Sequence, residues 1–201
     1  IGAVLLSARF AFDMPFNEAI YNGIFHSISA FCNAGFSLFP NSLINYQSDI
    51  YINLVISFLI ISGGIGFIVF FEIKKIFTKK LSLRDLSLHS KVVINVSLIL
   101  ILIGSLFIFI FEYHVSMDGM DLGNKIMASI FQSISSRTAG FNTLDLNSLS
   151  MPSLFFLSTL MFIGASPAST GGGIKTVTLA VLIAFIRSKI KDSKNVNLAH
   201  N

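Results

Sequence analysis

Ile24-Phe-His-Ser-Ile-Ser-Ala-Phe-Cys-Asn-Ala-Gly-Phe36 is matched much later in the chain by Ile130-Phe-Gln-Ser-Ile-Ser-Ser-Arg-Thr-Ala-Gly-Phe141. Each copy is a short apolar stretch ending in a polar, glycine-containing turn, with a long hydrophobic tract after it. Residues 19–30 would measure roughly 18 Å as a helix, about half a bilayer. Apolar runs this short read better as re-entrant segments than as spans. Asn33, Pro40, Asn41 and Asn45 argue against a second crossing after the first copy, and Arg137 ends the second apolar run. Two such units predict pore helices with ion-filter loops, hence a cation pathway through a membrane. The alternative is two ordinary turns after core helices; the shared I-F-x-S-I-S lead-in weighs against it.

Composition points the same way. Of the 201 residues, 53% are hydrophobic and 12% charged, with a mean hydropathy of +0.77; soluble domains carry about 25% charge. Three uncharged tracts, residues 50–71, 92–111 and 146–174, reach the roughly 20 residues a span needs. A fourth, truncated span is expected over residues 1–12. The single cysteine, Cys32, excludes an intrachain disulfide. With Ile1 first and no signal-peptide pattern, the chain reads as a fragment or processed piece. The net charge of +4 is placed as a membrane protein places it, which leaves no role for nucleic acid.

Lys74, Lys75, Lys79, Lys80, Arg84 and Lys91 crowd one connection, and Arg187, Lys189, Lys191 and Lys194 follow the last tract. Asp13, Glu18, Asp49, Glu112, Asp118, Asp121 and Asp145 dominate the others. The positive-inside rule puts loop 78–90 and the C-terminal tail in the cytoplasm and both motifs outside, in a cell membrane. Two crossings separate the motifs, so the repeats are parallel. Parallel repeats can surround one pore, whereas inverted repeats are common in alternating-access transporters.

Non-helical backbone at membrane depth survives only when buried in protein or facing a water-filled cavity. Glycine there lets the chain extend without a Cβ penalty, and carbonyl rings can replace an ion's hydration shell. The C-terminal partial negative charge of the preceding helix favours a cation. The expected ligands for a permeating cation are the backbone oxygens of Cys32, Asn33, Ala34 and Gly35, and of Arg137, Thr138, Ala139 and Gly140.

Residues 146–174 would measure roughly 44 Å as one helix, beyond a hydrocarbon core of about 30 Å. They contain Gly164-Ala-Ser-Pro-Ala-Ser-Thr-Gly-Gly-Gly-Ile-Lys-Thr176. Pro167 removes a donor and clashes with the preceding turn, and Gly171, Gly172 and Gly173 lower helix propensity. A break is predicted over 164–175, with helix resuming from about Thr176 to Ile186. Irregular backbone at that depth would line the path below the filter as a gate; a plain kinked helix is the alternative. Gly-Gly-Gly-Ile-Lys-Thr lacks the glycine that a phosphate-binding loop needs before its lysine. Ser62-Gly-Gly-Ile-Gly66 reads as a close-packing face on an intact helix, with Ser62 and Gly66 on one side.

Phe31-Cys-Asn-Ala-Gly-Phe36, Ser136-Arg-Thr-Ala-Gly-Phe-Asn-Thr143 and the 164–176 segment resemble the Trk/Ktr/HKT superfamily of potassium transporters, the Ktr-type membrane subunit most closely. The resemblance implies an all-α integral membrane fold of helix–pore loop–helix units, two of an expected four. Residues 1–77 would be the second repeat: the end of an outer helix, a pore helix, a filter and an inner helix. Residues 91–187 would be the third, with a broken inner helix, and 188–201 a cytoplasmic tail. Gly35 and Gly140 would be two of four filter glycines. The gating loop would comprise Gly164, Ser166, Pro167, Ser169, Thr170, Gly171, Gly172, Gly173 and Lys175. It also implies K+ as the transported ion, no cofactor on this chain, a homodimer in lipid, and a cytoplasmic ring of nucleotide-binding regulatory subunits. Cys32 departs from the asparagine found in many relatives.

Arg137, at the filter entrance, would repel a cation, so its side chain is expected to point behind the filter and pair with a carboxylate or carbonyls; direct tuning of conduction is the alternative. Lys175 is either a handle on the gate loop or an interfacial anchor. His26 is expected to be packed within its pore helix, and Asn53 and Asn95 to bond between helices. No Ser/His, His/Glu or paired-Asp constellation sits at matching depth, which argues against an enzyme. The expectation is potassium uptake by gated, channel-like permeation; an ion-coupled secondary transporter is the rival.

Overall fold

The computed structural model describes residues 1–79 and 85–191. All the helices and strands among them are helices, and they fall into two similar units. In the first, α1 (Gly2–Phe10) packs on α2 (Phe16–Phe31), which packs on α3 (Ile50–Gly64), continued by α4 (Phe67–Lys79). In the second, α5 (Leu88–Glu112) packs on α6 (Leu122–Ser136) and on α7 (Met151–Phe162) and α8 (Thr176–Ile190). The units meet where α3 touches α6 and α4 touches α5.

Local chemistry sets the boundaries. Pro15 precedes α2, and Glu18 lies in its first turn, where the helix dipole favours an acid. Asp49 caps α3 by accepting from the Ile52 N–H, Ser87 caps α5 through Ser90, and Asp121 caps α6 through Gly123. The Glu112 carboxylate accepts from the Ser150 N–H at 3.0 Å and the Ser150 hydroxyl at 2.6 Å, tying the end of α5 to the start of α7. The 25 residues of α5 make it the one unbroken helix among the described residues long and apolar enough to cross a bilayer. Leu98, Ile99, Leu102, Ile103, Leu106 and Ile110 on α5 are exposed.

One core joins the units. Leu6, Phe10, Ala19, Ala30, Ile52, Ile56 and Ile60 of the first pack with Phe131, Ile134, Ala139 and Phe141 of the second. His26 is fully buried there, bonded to the Asn22 carbonyl and the Ser37 hydroxyl and stacked on Phe39. It is a packed histidine, as expected.

The structure corrects four expectations. Residues 50–71 do not form one helix: α3 stops at Gly64 and the chain turns by 106° into α4. Ser62–Gly66 is therefore not a packing face on a continuous helix. Gly66 has φ +90°, a conformation in which a Cβ would also overlap the Pro167 carbonyl oxygen, so the turn is held by tertiary contact. Asn53 does not bridge helices: its amide donates to the Tyr46 and Asp49 carbonyls, closing the turn ahead of α3. Asn95 is exposed on α5. The break in the last tract falls where the sequence places it, between Phe162 and Thr176. Lys80, Arg84, Lys194 and most of the tail 188–201 lie outside the described residues.

Candidate functional site: two glycine loops and two broken helices

The short helices α2 and α6 end at Phe31 and Ser136, and each runs into a loop with left-handed backbone at corresponding positions. Asn33 (φ 52°) and Gly35 (φ 71°) have left-handed backbone in the first loop, as do Thr138 (φ 82°) and Gly140 (φ 89°) in the second. The residues between, Ala34 and Ala139, do not. Left-handed φ is uncommon for non-glycine residues, and its recurrence at matched positions marks a conformation imposed on both loops.

Both loops are strapped to their helices in the same way. The Ser29 hydroxyl donates to the Phe36 carbonyl at 2.7 Å, and the Ser135 hydroxyl donates to the Phe141 carbonyl. The Ala34 N–H returns to Ser29 O, and the Ala139 and Gly140 N–H groups return to Ser135 O. The first copy carries one more residue between this serine and its glycine, yet the strap is preserved. The loops also meet: a Cβ on Gly35 would overlap the Ala139 carbonyl oxygen and lie 2.9 Å from Gly140 Cα.

Beneath them the two helix breaks dock. The Ser166 N–H donates to Gly64 O at 3.0 Å, the Thr170 N–H to Gly63 O at 3.2 Å, and the Phe67 N–H to Ala168 O at 3.0 Å. These bonds satisfy backbone groups that the interrupted helices α3 and α4 cannot pair internally. Loop 164–175 is also folded on itself. Gly164 donates to Ile174 O, Ala165 to Gly172 O and Ile174 to Phe162 O, while the Ser169 hydroxyl bonds Ser166 O. The Lys175 ammonium reaches back to the Gly171 carbonyl at 2.6 Å, so its charge braces this loop.

The candidate residues are thus brought into contact with one another, with distinct surroundings. Asn33 and Ala139 are buried, whereas Cys32, Ala34 and Gly140 are exposed. Arg137 lines a cavity of about 30 Å³ with Asn33, Ile60, Ile61, Gly64, Ile65, Ser97, Ile134 and Ala165. That is room for a water molecule. The Arg137 side chain lines this cavity, but its Nε is buried without a hydrogen-bond partner, so among the described residues the expected pairing with a carboxylate or carbonyl is not made. Sequence reasoning missed Gly63, Gly64 and Gly66 as the seat of loop 164–175. Three glycines within four residues were the available signal, through their cost to a helix of about 1 kcal/mol each.

A family model described as TrkH, cation transport protein, matches residues 2–201. The chain is 42% identical over 94% of its length to Ktr system potassium uptake protein B of Bacillus subtilis, and covers 43% of that protein. It is 36% identical to the Vibrio alginolyticus protein of the same name over 98% of its length, again covering 43% of the relative. It is also 36% identical to potassium/sodium uptake protein NtpJ of Enterococcus hirae, over 95% of the chain and 42% of the relative. The chain therefore spans about two fifths of the length of these relatives. Its fold is that of the crystal structure of the potassium transporter TrkH from Vibrio parahaemolyticus, with a TM-score of 0.70 over 94% of this chain and 39% of that one, at 22% identity. The paired strapped loops, the all-helical architecture and the match over nearly its whole length place this chain in the TrkH family of cation transport proteins.

Proposed function

We propose that this chain forms two pore-lining units of a membrane protein that takes up potassium, by gated, channel-like permeation past backbone carbonyls. The observation that carries the reading is the matched pair of loops, Asn33-Ala34-Gly35 and Thr138-Ala139-Gly140. Both are left-handed at alternate residues, and the two meet at Gly35 and Gly140. Each lies at the C-terminal end of a short helix, whose partial negative charge favours a cation. Carbonyl oxygens in such loops replace an ion's hydration shell. The two relatives named potassium uptake proteins support potassium as the ion. Sequence outside this chain would supply two further units, consistent with relatives more than twice its length.

Loop 164–175 is the gate in this reading, because it lies under both filter loops and interrupts an apolar helix there. The driving force is the membrane potential, about 2.3 kcal/mol per charge per 100 mV. A homodimer in the cell membrane, with filter loops outside and loop 78–90 facing a cytoplasmic ring of nucleotide-binding subunits, completes the proposal. An ion-coupled rocking transporter is the competing mechanism; the parallel order of the two units speaks against it.

The test is potassium-limited growth of an uptake-deficient bacterium expressing the full-length parent, with and without Gly140→Ser. Growth that is rescued by the parent and lost, or converted to a sodium leak, in the variant is the expected result. Equal rescue by both removes Gly140 from the filter.

A further inference from the structure

The carbonyls at the C-terminal end of α2 are closed locally, except one. Cys32 N–H donates to Ile28 O, Ala34 N–H to Ser29 O and Asn33 N–H to Ala30 O. The fourth, Phe31 O, accepts its hydrogen bond from the Thr170 hydroxyl, 139 residues away, at 3.0 Å. The same hydroxyl oxygen accepts from the Asn33 amide at 2.9 Å. A hydroxyl has one proton to give, so the direction is set: Asn33 Nδ2–H to Thr170 Oγ1, then Thr170 O–H to Phe31 O. Such chains strengthen one another. Asn33 is buried and lies two residues from Gly35 on the filter strand, so a single threonine ties loop 164–175 to pore helix and filter together. The second unit has no counterpart to close from outside, because Ser136 O is taken by the Thr138 N–H.

We propose that Thr170 is a positioning residue that latches loop 164–175 under the first filter loop by occupying the Phe31 carbonyl, an oxygen that a permeating monovalent cation would otherwise contact. With the loop in place, that oxygen at the negative end of α2 is spent on a hydroxyl. With the loop withdrawn, that oxygen keeps its close approach to Gly63 but has no hydrogen-bond donor, and a cation compensates it. Cation occupancy and loop position then compete for one atom. This rests on the cation-pathway reading.

The experiment uses the full-length parent in detergent, with Cys32 and any other cysteine replaced by serine and a spin label at Gly172→Cys. That position suits a label, since a Cβ there meets nothing within 4 Å. Thr170→Val and Thr170→Ala remove the hydroxyl, and Thr170→Ser keeps it. Losing one such bond shifts a two-state equilibrium by about three- to tenfold. The mobile fraction of the label should rise by that factor in the Val and Ala variants without potassium, and stay at the parental level in Thr170→Ser. In the parent, potassium chloride should raise it relative to N-methylglucamine chloride at equal ionic strength.

A label as immobile in both hydroxyl-free variants as in the parent overturns the latch. A parent whose label ignores potassium overturns the competition, and Val and Ser variants that behave alike overturn the role of the hydroxyl. The uptake assay with Gly140→Ser is separate. A freed loop in Thr170→Val combined with no potassium uptake by the parent would keep the latch and overturn the function, and the reverse combination would do the opposite.

Discussion

Gly35 and Gly140 face one another with no side chain between them, but the contact is unequal. A Cβ on Gly35 would lie 2.9 Å from Gly140 Cα and overlap the Ala139 carbonyl oxygen, whereas one on Gly140 would lie 3.4 Å from Gly35 Cα. Both residues have left-handed φ, which costs a residue with a side chain roughly 1–2 kcal/mol. Gly140→Ala therefore carries mainly this conformational cost, and Gly35→Ala must in addition displace the opposite loop. Uptake rates in the presence of competing sodium should show reduced discrimination for Gly140→Ala. For Gly35→Ala they should show a larger loss, with less folded protein recovered from the membrane.

The two serine straps predict a matched pair of effects. The Ser29 and Ser135 hydroxyls each hold the carbonyl that follows the glycine of their loop. Ser29→Ala and Ser135→Ala should each lower thermal stability by about 1 kcal/mol, the usual net worth of one hydrogen bond. Both should widen the range of cations taken up, while Ser29→Thr and Ser135→Thr keep the hydroxyl. Equal cation selectivity in the alanine variants and the parent would mean the straps do not hold the filter.

Much of this arrangement is legible in the sequence because its signals are local. Helices α2 and α6 are announced by short apolar runs that end at polar residues, and the break between α7 and α8 by excess length, Pro167 and three glycines. The bend at Gly66 is not announced in that way. Residues 50–71 have a bilayer's length and no proline, so the three glycines Gly63, Gly64 and Gly66 are their one hint of an interruption. What breaks them is a partner segment distant in sequence: Pro167 and Ala168 offer carbonyls to the place where a helix would continue. Asn53 was misread for a related reason. A polar residue in an apolar tract invites an interhelical partner, but one turn into a helix it can reach backwards to the carbonyls of the preceding turn.

Adjacent glycines at the end of α3 should respond differently to the same change. A Cβ on Gly63 would overlap the Phe31 carbonyl oxygen and lie 2.9 Å from its carbon, both backbone atoms that cannot swing aside. At Gly64 the nearest atom is the Asn33 amide nitrogen at 3.7 Å, ordinary contact. Gly63→Ala should push α3 away from α2, costing about 1–3 kcal/mol or more as overpacked sites do. Gly64→Ala should be close to neutral. The unfolding midpoint of the detergent-solubilised full-length parent distinguishes them, and equal midpoints would refute the close approach of α3 to Phe31.

The triple glycine of loop 164–175 yields the sharpest contrast, because its three members meet different surroundings. At Gly171 a Cβ would overlap the Thr138 hydroxyl and lie 2.5 Å from Ala165 Cβ, on the side where the loop presses against Thr138. At Gly173, φ is +73° and Gly164 Cα would be 2.6 Å away, so both conformation and space oppose a side chain. At Gly172 the space is open and the backbone is not left-handed. Flexibility alone would make the three interchangeable, each alanine stiffening the loop to a similar degree. A loop held in one folded position makes them unequal. Gly172→Ala should keep parental uptake and stability. Gly171→Ala should dislodge the loop from Thr138 and raise resting cation leak, and Gly173→Ala should break the turn that returns Ile174 to Phe162. Resting and driven potassium fluxes of the three variants decide the matter: a uniform effect would assign these glycines to flexibility, and a silent middle position would assign them to the docked shape of the loop.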